Sequence, residues 1–163
     1  MTVRSAAEAL VARAAALGKR GRTLSPDERE RLAAALPQYP AWLLDLLFAV
    51  PLCGLELGWQ ADAPEPDYDG LAWLWVSDGD GILKESLELY PGLAILSAGY
   101  VNFGGDATGG GDPYFLPIQE GEDPPLYQVY HDVGEDAPTI LAQGRQLVAP
   151  RLSEFFRTTL LDS

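Results

Sequence analysis

Two aspartate-rich turns, Asp67-Tyr-Asp-Gly70 and Asp78-Gly-Asp-Gly81, have the spacing that opens a calcium loop. An EF-hand loop also needs an acid at its fifth position and a glutamate at its twelfth. Counted from Asp78 those positions are Ile82 and Leu89, and from Asp67 they are Leu71 and Asp78, so both matches fail. Cys53 and His131 are single copies, which leaves no Cys/His zinc set beyond two ligands plus carboxylates. Gly104–Gly111 could form backbone nests for phosphate, but no Gly-Lys-Ser/Thr follows, and Asp106 and Asp112 would repel the anion. There is no Gly-x-Ser-x-Gly elbow, and a Cys53–His131–Asp132 grouping would require tertiary contact to mean anything. Paired carboxylates for glycoside chemistry gain no support from sheer abundance of acids. The expectation is therefore a chain with no catalytic residue, cofactor or metal, whose acids serve as a surface.

The elements that hold those acids follow from local pattern. Thr2 or Ser5 caps an alanine-rich helix with a weak apolar stripe (Val3, Ala7, Leu10, Ala14, Leu17), expected to dock loosely. Ser25-Pro-Asp-Glu28 starts a second helix, with proline in the first turn and Glu28 at the capping-box position. A third, from about Pro40 to Val50, carries Trp42, Leu43, Leu46 and Leu47 and belongs in the core. Cys53–Trp59 reads as a first strand, and Leu71–Val76 as a central strand covered on both faces. Ile82–Tyr90 reads as a short helix and Gly92–Ala98 as a strand. Phe103–Pro117 is a glycine-rich loop delivering the chain into a strand at Tyr114, and we take it as the centre of the fold. Tyr114–Gln119 and Leu126–His131 form a hairpin with an acidic tip, Gly134–Pro138 is another acidic loop, and Pro150 opens a last helix.

The 163 residues fit one domain, and 47% hydrophobic content supports a packed core. The organisation expected is an N-terminal helix and basic connector over 1–22, then an α+β domain over 23–163. Lone Cys53 rules out an internal disulfide and fits a reducing compartment. The N-terminal alanines, broken by Glu8 and Arg13, match neither a secretory signal nor a membrane span, so a cytoplasmic protein without membrane contact is expected. Net charge is −13, and it is uneven: seven of eleven basic residues lie before Leu36, leaving four basic and twenty acidic residues beyond. Such a body repels phosphate backbones, which argues against nucleic acid, and it would steer association with a basic partner.

Four stretches together resemble the SUKH superfamily, the Smi/Knr-type domain of many bacterial immunity proteins and fungal cell-wall-synthesis regulators. They are Leu36-Pro-Gln-Tyr-Pro-Ala-Trp-Leu-Leu44, Tyr90-Pro-Gly-Leu93, Phe103 to Leu116 with its glycine-aspartate loop, and Leu126-Tyr-Gln-Val-Tyr-His-Asp132 followed by Leu152-Ser-Glu-Phe-Phe156. Val50-Pro-Leu-Cys-Gly54 departs from the Asn-Gly-Gly turn of many members. The resemblance implies an α+β fold, a single central sheet with helices packed against it. It also implies a protein-binding role, typically neutralising a cognate toxin such as a nuclease. Asp67, Tyr68, Asp69, Asp78, Asp80, Glu120, Glu122 and Asp123 are the candidate partner-binding residues. A regulatory domain for another protein partner and an enzyme with a carboxylate or metal site are the competing readings.

Overall fold

A computed structural model describes residues 1–161. Its core is one six-stranded antiparallel sheet in the order β1-β2-β3-β4-β5-β6, each strand beside its sequence neighbour. The strands are β1 (Glu56–Gln60), β2 (Leu71–Val76), β3 (Tyr100–Asp106), β4 (Tyr114–Pro117), β5 (Leu126–Val129) and β6 (Arg145–Ala149). The helices are α1 (Val3–Ala16), α2 (Pro26–Ala35), α3 (Ala41–Ala49), α4 (Gly79–Leu87), α5 (Gly92–Ile95), α6 (Ala137–Gln143) and α7 (Leu152–Thr158). This is the α+β arrangement expected, with helices packed on a sheet.

Strand alternation divides the apolar residues between two clusters. On β4, Tyr114 and Leu116 enter the main core with Leu10 of α1, Leu32 of α2, Leu43 and Leu47 of α3 and Phe156 of α7. Phe115 points the other way, joining Tyr100, Val129, Ile95 of α5 and Ile140 of α6. The alanine stripe of α1 gives close rather than loose packing: Ala6, Ala7, Leu10 and Ala14 are fully buried, and α1 lies against α7. Small side chains let the helix approach closely, and the apolar area removed from water stabilises that approach.

Helix starts behave as their sequences dictate. Thr2 and Ser25 each cap through a reciprocal capping box, with Ser5 and Glu28 as the returning partners. Asp78 and Asp136 cap α4 and α6 by accepting from Gly81 N and Thr139 N.

Besides the docking of α1, three local expectations need correction. Phe103–Asp106, read as the start of the glycine-rich loop, is the end of β3, because its backbone pairs with β2, so the loop is confined to 107–113. Gly92–Ala98 is not a strand but α5 followed by a 3₁₀ turn, Leu96–Ala98. The apolar run suits strand or helix alike, and one helical turn buries Gly92 and Ile95 while leaving Leu93 exposed. Leu71–Val76 is likewise not covered on both faces: Ala72, Leu74 and Val76 are buried, while Trp75 on the opposite face is 45% exposed. Its tryptophans rest instead on glycines of the adjoining strands, Trp73 on Gly58 and Trp75 on Gly105.

Gly92 marks the tightest joint between helices. A Cβ there would lie 1.8 Å from the Glu85 carbonyl oxygen and 3.1 Å from Phe115. We expect Gly92→Ala to lower the unfolding free energy by about 2–3 kcal/mol in urea titration, because backbone rather than a flexible side chain must yield. Gly110→Ala, whose Cβ meets nothing closer than 3.5 Å, serves as the control and should change stability by less than about 0.5 kcal/mol.

Candidate binding site at the open end of the sheet

The sheet curls so that its first and last strands approach: Gln146 Nε2 of β6 donates to the Ala61 carbonyl just beyond β1 at 3.3 Å. At this end the strands frame a shallow mouth of about 250 Å3, lined by Asp62, Tyr68, Asp106, Asp112, Gln128 and Tyr130 among others. Mouths of curled sheets are common ligand positions because loops from several strands converge there. Beneath it, buried Trp59 Nε1 donates to the Tyr114 hydroxyl at 2.9 Å, and the two rings meet edge to face. Burial pushes the Tyr114 phenol above its ordinary value, and Asp106, Asp112 and Tyr130 push it further.

Each carboxylate of the mouth is held by backbone or phenol donors. Asp106 organises the glycine-rich loop: Oδ1 accepts from Thr108 N at 2.9 Å, and Oδ2 from Gly109 N at 3.1 Å and Gly111 N at 2.7 Å. Thr108 then returns to β2, its Oγ1 accepting from Trp73 N. Asp112 Oδ1 accepts from the His131 backbone at 3.0 Å and sits 2.6 Å from His131 Nδ1, which raises the His131 pKa. Across the mouth, Tyr68 donates its hydroxyl to Asp62 Oδ2 at 2.9 Å, and Asp62 pushes that phenol up. The loop carrying this pair is set by Gly70, at φ 75°, where a Cβ would fall 2.2 Å from the Asp62 carbonyl. Only glycine fits both the left-handed backbone and that contact.

No lysine or arginine lines the mouth. Arg145, the basic residue at the start of β6, turns to the outer face, where it lies over the Tyr127 ring at 4.6 Å and donates to the Tyr100 hydroxyl.

The eight residues singled out from the sequence do not form one surface. Asp67, Tyr68 and Asp69 lie on the β1–β2 connector; Tyr68 joins the mouth, and Asp69 Oδ1 accepts from Leu71 N. Asp78 caps α4 and pairs with Arg22 at 3.3 Å, while Asp80 pairs with Arg31 at 3.0 Å. Asp123 caps the first turn of α7, accepting from Ser153 N and Oγ at 2.8 and 2.6 Å. Glu120 and Glu122 are exposed near the β4–β5 tip, and Glu122 shares a shallow depression with Thr2 and Trp42. Asp62, Asp106 and Asp112 are not among the eight, although Asp106 and Asp112 are the two acids that set the glycine tract against phosphate. The available signal was their place at either end of the glycine tract.

For chemistry, Cys53 is buried, and desolvation pushes its thiol up to about 12, so no thiolate nucleophile forms. Asp112, His131 and Asp132 form the one grouping of three ligand-type side chains found among the described residues, with ligand atoms within 4.8 Å of one another. They could offer a metal one imidazole nitrogen and two carboxylate oxygens at the rim of the mouth. No described helix is long and apolar enough to cross a membrane.

Comparison of the chain with protein-family models, with curated proteins and with solved structures finds no match.

Proposed function

We propose that the protein is a non-catalytic binding domain of the immunity type implied by the SUKH resemblance, and that it holds a basic, nuclease-like toxin against its acidic mouth. The observation that carries this reading is a concave surface lined by three carboxylates and by no lysine or arginine among the described residues, with His131 at its rim, pre-formed by hydrogen bonds from backbone and from the Tyr68 phenol. A fixed array of negative charge suits a groove evolved for phosphates, and pre-ordering lowers the entropy lost on docking. Fold likeness alone does not assign function, so the charge arrangement is the argument.

The test is co-expression with any basic toxin domain found encoded beside its gene, followed by stopped-flow association. Wild type should protect the cell and associate at least about tenfold more slowly when salt rises from 50 to 500 mM. Asp62→Lys with Asp112→Lys should slow association by about tenfold or more, whereas Asp80→Asn, whose carboxylate already pairs with Arg31, should leave it unchanged. A tight complex indifferent to salt and to the mouth substitutions overturns the acidic contact. Binding without protection points instead to a regulatory domain.

A further inference from the structure

The glycine-rich loop has a second depression on its other side. A groove of about 330 Å3 runs between Trp75 and the α4 residues Gly81, Lys84 and Glu85, with Gly105, Asp106, Gly111 and Pro113 completing it. Asp106 lines both this groove and the mouth, so the two depressions adjoin at that residue.

Three features give the groove a chemical preference. Trp75 leaves 45% of its surface exposed on the outward face of β2. Its indole depends on bare backbone beside it, since a Cβ at Gly105 would lie 2.5 Å from Trp75 Nε1. A large aromatic held in water beside a pocket is the usual form of an interface anchor. Glu85 is half-buried and, among the described residues, its carboxylate makes no hydrogen bond or ion pair; desolvation raises its pKa, partly offset by neighbouring Lys84. The lining sets two carboxylates, Glu85 and Asp106, against one ammonium, Lys84, so its balance is negative, and a second copy would set one net charge of −13 against another. A cation gains twice, from the face of the indole and from a carboxylate short of partners.

We propose that this groove takes an arginine or lysine side chain of the basic partner, its charge lying between the Trp75 indole and the Glu85 carboxylate. Naming the partner rests on the function proposed above; the cation preference of the groove does not. The partner would then straddle the glycine-rich loop with two contacts, one in the mouth and one on Trp75.

The experiment is titration of 15N-labelled protein with N-acetyl-arginine amide, with N-acetyl-citrulline amide as the uncharged isostere, following the Trp75 indole resonance assigned through Trp75→Phe. Arginine amide should shift that resonance saturably and citrulline amide should not. Glu85→Gln should weaken the response about fivefold, while the Asp62→Asn, Asp112→Asn double variant keeps it. Absence of a saturable shift, an equal shift with citrulline, or an undiminished response in Glu85→Gln overturns the proposal. Because the probe is a single amino acid, a positive titration stands even where the toxin experiment fails, and the reverse outcome condemns the groove alone.

Discussion

Replacing Glu28 by alanine is expected to lower the unfolding free energy by about 3–5 kcal/mol, one of the two largest single-site effects in this fold. Glu28 is 7% exposed, yet its carboxylate joins three separate pieces of chain. Oε1 accepts from Ser25 N at 2.9 Å and from Arg22 Nη1 at 2.5 Å; Oε2 accepts from Gly79 N at 2.8 Å and Arg22 Nη2 at 3.0 Å. Removal leaves the part-buried Ser25 N–H and the buried Gly79 N–H at the starts of α2 and α4 without partners, and it leaves the Arg22 guanidinium with only Asp78 and the Thr23 carbonyl. The bidentate Arg22 contact, helped by the Ser25 and Gly79 amides and opposed by burial, depresses the Glu28 pKa from 4.5 to about 2.

The sign of the pH dependence follows from that depression. A carboxylate more acidic folded than unfolded contributes stability above the unfolded value, and the contribution is lost as pH falls toward the folded value. About 3 kcal/mol should therefore be present above pH 4.5 and fade toward pH 2. Guanidinium titrations of wild type and Glu28→Gln between pH 2 and 7 measure it. The gap between the two proteins should be widest near neutrality and close at the acid end. A constant gap would remove the linkage.

The second large effect is expected at Asn102, which is fully buried inside the sheet. The register between β3 and β4 shifts between Asn102 and Gly104, and a bulge leaves ladder groups unpaired. The Asn102 amide supplies what the ladder lacks: Nδ2 donates to the Gly104 and Tyr114 carbonyls at 3.1 and 3.2 Å, and Oδ1 accepts from Ser77 Oγ at 2.7 Å. Asn102→Ala should cost about 3 kcal/mol, since two carbonyls and a hydroxyl lose partners where water does not reach. Ser77→Ala, which removes only the hydroxyl, should cost about 1 kcal/mol. Urea midpoints decide between them, and equal losses would mean the amide does not span the bulge.

What could be read from the sequence tracks how local each feature is. Ser25-Pro-Asp-Glu28 announced its capping box because cap and partner lie within one turn, but nothing local revealed that Glu28 also reaches Gly79. The glycine tract announced a connection between strands for the same reason, although its first four residues, Phe103–Asp106, belong to β3 rather than to the loop. Gly92–Ala98 and the helix Ala137–Gln143 were obscured, one by an apolar run that suits strand or helix equally and the other by the acidic residues at its cap. The mouth was hidden for a different reason. Asp62, Asp106 and Asp112 come together only because six strands curl and their ends converge, a relation set by register rather than spacing. Among the eight residues chosen by charge, Asp78, Asp80 and Asp123 already serve Arg22, Arg31 and α7. Sequence shows that an acid is present but not what occupies it.

The segment after α7 has a consequence for how this molecule meets its neighbours. Leu160 lies antiparallel to Gly58 and exchanges both backbone hydrogen bonds with it at 2.9 Å, covering the outer side of β1. A foreign strand seeking to extend the sheet there would first have to displace the chain's own backbone. Polymerisation by edge-to-edge stacking is thereby discouraged at that border.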